Sequence, residues 1–220
     1  MRISLPTFTI FLILVLLPSL ALAKAPTKKE IDRTLLGLSK GKLAEVTDSE
    51  DHLHEMKIDQ ENREKDLAIA KLNLQAAKAW VDASQAVSVA LELSTKAAEA
   101  DSQTEETEDY AARVVRARRT SEWRDARWQA ARSAVALQQT RITLARSEVS
   151  HAAIQVDLAR LGIYDKTIGG DADVEVEMGK AQVKLGRVAT QMGKDRRKAE
   201  EAQRAYDDLV ARAAELDPSI

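Results

Sequence analysis

The chain has 220 residues, no cysteine, and 33 basic against 35 acidic side chains. The lack of cysteine excludes disulfides and thiolate metal sites. The near balance of charge argues against a nucleic-acid partner, which would require a strongly basic surface.

The first 23 residues have the features of a secretory signal peptide. Arg2 precedes an apolar stretch from Phe8 to Leu22, and Ala21 and Ala23 are the small residues that signal peptidase requires. We predict cleavage after Ala23 and a mature chain that begins at Lys24. An uncleaved membrane anchor is the alternative, because the apolar stretch approaches the length of a membrane span.

The predicted compartment is the bacterial periplasm. Neither Asn62 nor Asn73 begins a glycosylation sequon, and the cysteine-free chain needs a helical core to hold its fold outside the cytoplasm. Loss of Arg2 with the signal peptide leaves 32 basic and 35 acidic residues. No stable membrane span is expected after cleavage.

The remainder of the chain has the pattern of long helices. Proline is absent between Pro26 and Pro218, and apolar residues recur at alternating spacings of three and four. Proline interrupts helices, and this spacing is typical of coiled coils. The sequence therefore predicts an all-α protein, either a long antiparallel helical hairpin or a three-helix coiled-coil rod.

The start of the mature chain predicts a short helix. Residues 27–30 have the form of a capping box, and one apolar stripe runs through residues 31–46. Gly37 and Gly41 weaken this segment, and residues 47–50 offer a second capping box. One helix and two helices are equally favoured here.

We divide the chain into a signal peptide, a short N-terminal helical segment and an elongated coiled-coil domain. The corresponding ranges are 1–23, 24–46 and 47–220, and the three long helices are expected at about 48–101, 104–161 and 171–216. Gly162 is the expected C-cap of the second long helix, and Gly169 and Gly170 mark a loop. A short strand over residues 174–178 is the alternative to an early start of the last helix.

Short connections between these helices predict up-down-up antiparallel packing. Folding about the glycine loop is expected to place the arginines of residues 116–132 beside the acids of residues 200–215. Such pairs would select the register of the helices more than stabilise it.

Two rows of small residues are candidates for close helix packing. One row is the glycine series Gly179, Gly186 and Gly193, and the other is the alanine series Ala76, Ala83, Ala90 and Ala97. Glycine in a helix costs about 1 kcal/mol relative to alanine, so a row of three favours close approach of another backbone. A docking groove for a partner helix is the alternative.

Three further features of the sequence are weaker indications of function. His52 and His54 stand among acids, but residues two apart point to different sides of a helix, so no metal or other cofactor is expected. Arg116, Arg119, Trp123 and Arg127 share a helix face that suits a polyanion, unless the acidic last helix neutralises it. The acids of residues 99–109 serve either as helix caps or as a partner-docking tip.

The sequence contains no nucleophile motif and no phosphate-binding loop, so we expect no enzyme. The leading hypothesis is an exported, non-catalytic coiled-coil protein that acts as a cell-envelope scaffold, spacer or accessory of an assembly. The alternative is a periplasmic holdase-type chaperone or a helical partner of an efflux or transport conduit. A protein partner in the envelope and a homo-oligomer are both compatible with these heptads.

Overall fold

The computed structural model describes residues 25–101 and 104–218, with the side chains of 104–107 left out. The elements in chain order are α1 (Lys28–Leu36), α2 (Lys40–Ala100), α3 (Thr104–Ile168) and α4 (Ala172–Glu215). The predicted all-α architecture of antiparallel helical hairpins is confirmed. None of these helices is long and apolar enough to cross a membrane. The predicted signal peptide and its cleavage site lie outside the described residues.

Helix α3 is the centre of the molecule. It packs against both α2 and α4, while α2 and α4 make almost no direct contact. With 65 residues, α3 is about 98 Å long. The described chain is therefore an elongated array of three helices in which the middle helix carries most of the buried surface.

The heptad rows predicted from the sequence form the contact between α2 and α3. On α2, Ala70, Val81 and Ala98 are buried, and on α3 Ile142 and Val156 are 4% and 5% exposed. All five belong to the predicted rows of apolar positions. Burial of such rows supplies most of the free energy that holds long helices together.

The N-terminal segment forms two helices rather than one. Thr27 and Glu30 make the predicted capping box, in which the Thr27 backbone N–H donates to the Glu30 carboxylate over 2.7 Å. The helix is interrupted at residues 37–39, and Ser39 is the N-cap of α2. The second predicted capping box, over residues 47–50, is wrong, because the apolar stripe continues through Val46 and keeps that segment inside α2.

Helix α1 is held against the far end of α3 by a small apolar cluster. Leu35 and Val46 pack with Ala159 and Ile163. Arg160 lies beside this cluster, where its Nη1 is 3.7 Å from Asp32 Oδ1 and its Nη2 is 2.6 Å from Glu50 Oε1. One arginine of α3 thus links α1 and α2.

The predicted end of the second long helix at Gly162 is wrong. Helix α3 continues to Ile168, because Ile163 is buried in the cluster with Leu35 and fixes the chain as helix beyond the glycine. The reversal occurs at Gly169 and Gly170, whose φ values are +90° and +87°. The Asp171 side chain then accepts a hydrogen bond from Asp173 N and caps α4, and the strand alternative for residues 174–178 is wrong.

The extra length of α3 shifts the register of α4. Arg196 of α4 lies 3.9 Å from Glu148 of α3, and Arg141 of α3 donates a 2.6 Å hydrogen bond to Gln203. The expected facing of the arginines of residues 116–132 with the acids of residues 200–215 is absent from the ion pairs of the described residues. Because the turn lies at Gly169 and Gly170, those arginines lie farther from the turn than a reversal at Gly162 would place them.

The α2–α3 hairpin therefore projects beyond α4. The last turn of α4 and the residues after it, including Ala213 and Asp217, line the same groove as Trp123 and Arg124. Residues 85–100 and 104–120 extend past that point as a two-helix segment, which we call the hairpin tip. Within it, Arg118 and Glu92 join the two helices over 2.9 Å.

Candidate ligand-binding groove

An open groove lies between α2 and α4, with α3 as its floor. Its volume is about 1010 Å³. Its walls are mainly apolar and small, and representative residues are Ile69 and Ala76 of α2, Ala130 and Ala134 of α3, and Val210 and Ala213 of α4. We call this feature the interhelical groove. It exists because α2 and α4 both pack on α3 without meeting each other.

Two tryptophans and two arginines meet at one end of the interhelical groove. Arg127 Cζ lies 4.9 Å from the ring centroid of Trp123 and 5.8 Å from that of Trp80. Arg124 Cζ lies 5.9 Å from the Trp80 ring, and its Nη1 donates a 3.3 Å hydrogen bond to the Trp80 carbonyl. Cations over indole rings are held by the quadrupole of the ring. We call these four residues the Trp–Arg cluster.

The Trp–Arg cluster carries two positive charges. No carboxylate oxygen of residues 25–101 or 108–216 lies within 4.0 Å of Arg124 or Arg127. The Nε atom of Arg124 is buried and has no hydrogen-bond partner. Arginine stays charged at all relevant pH values, so this end of the groove offers fixed donors to an anion. Asp217 also lines this end.

The far end of the groove has a different character. Asp66 and Gln138 line it, and Gln138 Oε1 is buried without a hydrogen-bond partner in the described structure. Between the two ends, the lining residues are uncharged. The groove is thus an apolar channel with a cationic, aromatic end and a polar, acidic end.

The sequence identified part of this site. Of the predicted arginine face, Trp123 and Arg127 lie in the groove, while Arg116 and Arg119 are exposed on the hairpin tip. Trp80 was missed, although a tryptophan 54% exposed and flanked on the helix by Ala76, Ala79 and Ala83 is an unusual surface residue. Its exposure depends on where α4 ends, which the heptad pattern alone does not reveal.

The structure does not bring the predicted small-residue rows together. A Cβ added at Gly179, Gly186 or Gly193 would meet no atom within 4 Å. Ala76 lines the groove, and Ala83, Ala90 and Ala97 are exposed. The reason is the register. Arg196 lies beside Glu148, and Arg146 lies beside Glu64, so the glycine row is level with the N-terminal half of α2 rather than with the alanine row.

The remaining candidates lie on the surface. His52 and His54 are exposed, and His52 Nδ1 is 4.0 Å from Glu55. In the parts of the chain that the structure describes, no group of three or more histidine, aspartate or glutamate side chains is arranged to hold a metal. At the hairpin tip Glu99, Asp101 and Glu108 are exposed, and Asp109 lies 3.8 Å from Arg113.

The fold defines the class of protein as an antiparallel α-helical coiled-coil protein. No protein-family model matches the chain, and no curated protein or solved structure does so either.

Proposed function

We propose that this is an exported protein of the bacterial periplasm that acts without catalysis, as a scaffold, spacer or accessory of a cell-envelope assembly. The signal-peptide pattern of the first 23 residues supports export. The elongated helical structure supports a role in which the protein spans a distance and offers a long contact surface. The single observation that carries the proposal is the outer surface of α2.

That surface is uncharged over a long distance. Three neighbouring heptad rows of α2, which start at Ile69, Leu72 and Asn73 and run toward Ala100, contain no charged residue. Residues three and four apart lie side by side on a helix, so the rows form one continuous face. From Ile69 to Ala100 it extends about 46 Å. We call it the α2 outer face, and its first turns, with Ile69, Asn73, Ala76 and Trp80, also form the α2 wall of the interhelical groove.

The α2 outer face is exposed to solvent. Its large apolar residues are 54–65% exposed, and they are Ile69, Leu72, Trp80, Val87 and Leu93. The positions between them are mostly alanine. Soluble proteins rarely leave a contiguous apolar surface of this size without a binding partner. Alanine rows admit close approach, so the surface suits an apolar helix of another protein.

In-cell crosslinking tests this function. A photo-crosslinking amino acid at Ala90, in the α2 outer face, is expected to capture one dominant envelope protein. The same amino acid at Lys184, an exposed position on α4, is the matched control and is expected to capture none. Ala83→Glu together with Ala97→Glu should abolish capture at position 90, because a partner would have to bury unpaired charge.

A second candidate function is a holdase-type chaperone, which the interhelical groove favours. A chaperone of this kind would hold unfolded outer-membrane proteins between its helices. It would give many unrelated captured proteins at position 90 and would suppress aggregation of an unfolded outer-membrane protein in vitro. That combination of results would contradict the scaffold proposal. A single captured transport component would place the protein in a conduit instead.

A further inference from the structure

We propose that the interhelical groove binds an anionic amphiphile with a single apolar chain, such as a fatty acid or an anionic lysophospholipid. The Trp–Arg cluster would receive the headgroup, and the alanine-lined channel would receive the chain. This inference does not depend on export or on a protein partner.

The headgroup assignment rests on unbalanced charge. Arg124 and Arg127 share the Trp80 ring, and no ion pair joins either of them to residues 25–101 or 108–216. Among the described lining residues, this end has two guanidinium groups and one carboxylate, that of Asp217, so it is net positive. The guanidinium group of Arg127 is exposed and lines the groove, so its N–H groups can donate to a carboxylate or phosphate oxygen. An anion here would also lower the repulsion between the two arginines.

The chain assignment rests on length and lining. Arg124 and Gln138 are fourteen residues apart on α3, so the groove runs about 21 Å between them. Apart from Arg127, the lining residues along that distance are uncharged, and most are alanine. A volume of about 1010 Å³ is at the upper end for small-molecule pockets, which are mostly apolar with a few convergent polar groups. A long acyl chain has the matching shape.

The charges at the two ends of the interhelical groove also predict which anions it would bind poorly. Asp66 lies at the far end of the groove. A second negative charge at the end of the chain would meet this carboxylate, which disfavours it. A monoanion is therefore preferred over an α,ω-dicarboxylate of the same length.

Tryptophan fluorescence of the protein tests the proposal. Brominated stearate, used below its micellar concentration, is expected to quench Trp80 and Trp123 with one binding site per chain. A Trp80→Phe/Trp123→Phe variant, which keeps Trp128, should lose most of this quenching. Calorimetry with oleate, lysophosphatidylglycerol and the uncharged oleyl alcohol then separates carboxylate, phosphate and apolar contributions.

Charge variants locate the headgroup. Arg127→Gln removes an exposed side chain, and Arg124→Gln/Arg127→Gln removes both charges. The double variant should bind oleate at least about tenfold more weakly, because two charge-assisted contacts are lost, and should bind oleyl alcohol unchanged. Arg116→Gln/Arg119→Gln, on the hairpin tip, removes the same charge and should bind oleate as the wild type does. Circular dichroism verifies that each variant is folded.

Three results would overturn the proposal. They are absence of saturable quenching, equal affinity for oleate and oleyl alcohol, and an equal loss of affinity in the tip variant and the cluster variant. Capture of a protein helix through Trp80 and Trp123 in a groove that binds no amphiphile would assign the site to that helix. Ala83→Glu/Ala97→Glu should leave oleate binding intact, so failure of the scaffold proposal remains distinguishable.

Discussion

Ser147 of α3 donates a 2.7 Å hydrogen bond to Oδ2 of Asp195 on α4, and Asp195 is only 2% exposed. Gln191 Nε2 donates to the other carboxylate oxygen over 2.8 Å. Asp195 occupies a position where the heptad row of α4 would otherwise be apolar. A buried polar contact at such a position selects one register, since a shifted helix would leave the carboxylate without donors.

Replacing Asp195 tests this contact. Asp195→Ala is expected to lower the free energy of unfolding by about 1–3 kcal/mol, because both donors lose their acceptor inside the α3–α4 contact. Urea denaturation followed by circular dichroism measures the change. Lys194→Ala, at the exposed neighbouring position, should stay within about 0.5 kcal/mol of the wild type. Equal effects at the two positions would show that the buried carboxylate does not hold the helices.

Replacing the helical glycines of α4 is expected to raise the free energy of unfolding, the opposite of the effect at Asp195. Gly179→Ala, Gly186→Ala and Gly193→Ala should each raise the free energy of unfolding by about 0.5–1 kcal/mol, because a methyl group meets open space and alanine loses less entropy. Thermal melts of the three single variants measure this. Destabilisation, or dissociation of a dimer seen by light scattering, would instead show that another backbone packs on the glycine row.

The turn glycines should behave differently from the helical ones. Gly169→Ala and Gly170→Ala place a side chain at a positive φ, which is expected to cost about 1–2 kcal/mol each. Gly41→Ala, within α2 and with no neighbour within 4 Å, is the matched control and should be neutral or stabilising. Unchanged melting of both turn variants would mean that the reversal between α3 and α4 tolerates another backbone path.

Arg160 is expected to control the docking of α1. Arg160→Gln removes the contacts to Asp32 and Glu50, so amide hydrogens of residues 28–36 should exchange faster, by about fivefold if 1 kcal/mol is lost. Arg146→Gln, which loses one exposed contact to Glu64, should not alter exchange there. Protection of α1 that is identical in both variants would assign its docking to Leu35 and its apolar neighbours alone.

The sequence predicted the helices of the fold more accurately than it predicted their register against one another. Heptad spacing identifies which side of a helix is buried, so residues such as Val81 and Ile142 lie where the pattern predicted. The register of α4 depends on where the chain reverses, and Gly162 and Gly169 are both plausible ends for α3. Burial of Ile163 against Leu35, a contact between distant segments, decides between them.

The interhelical groove could likewise be predicted only in part, because it depends on the register of the helices. Trp123 and Arg127 were recognisable as a pair on one helix face, because both lie on α3. Trp80 comes from α2 and Val210 from α4, so their presence in the same groove depends on the register of all three helices. Arg124 occupies a heptad core position, and its partial burial beside Trp80 follows from the packing of α2 rather than from local sequence.

The central position of α3 has a mechanical consequence. The contact between α2 and α3 does not involve α4, because α2 and α4 each pack on α3 and make almost no direct contact with each other. Rotation of α4 away from α3 about Gly169 and Gly170 would therefore widen one wall of the channel while the longer hairpin stayed intact. Such a rotation would break the hydrogen bond by which Ser147 of α3 holds Asp195 of α4.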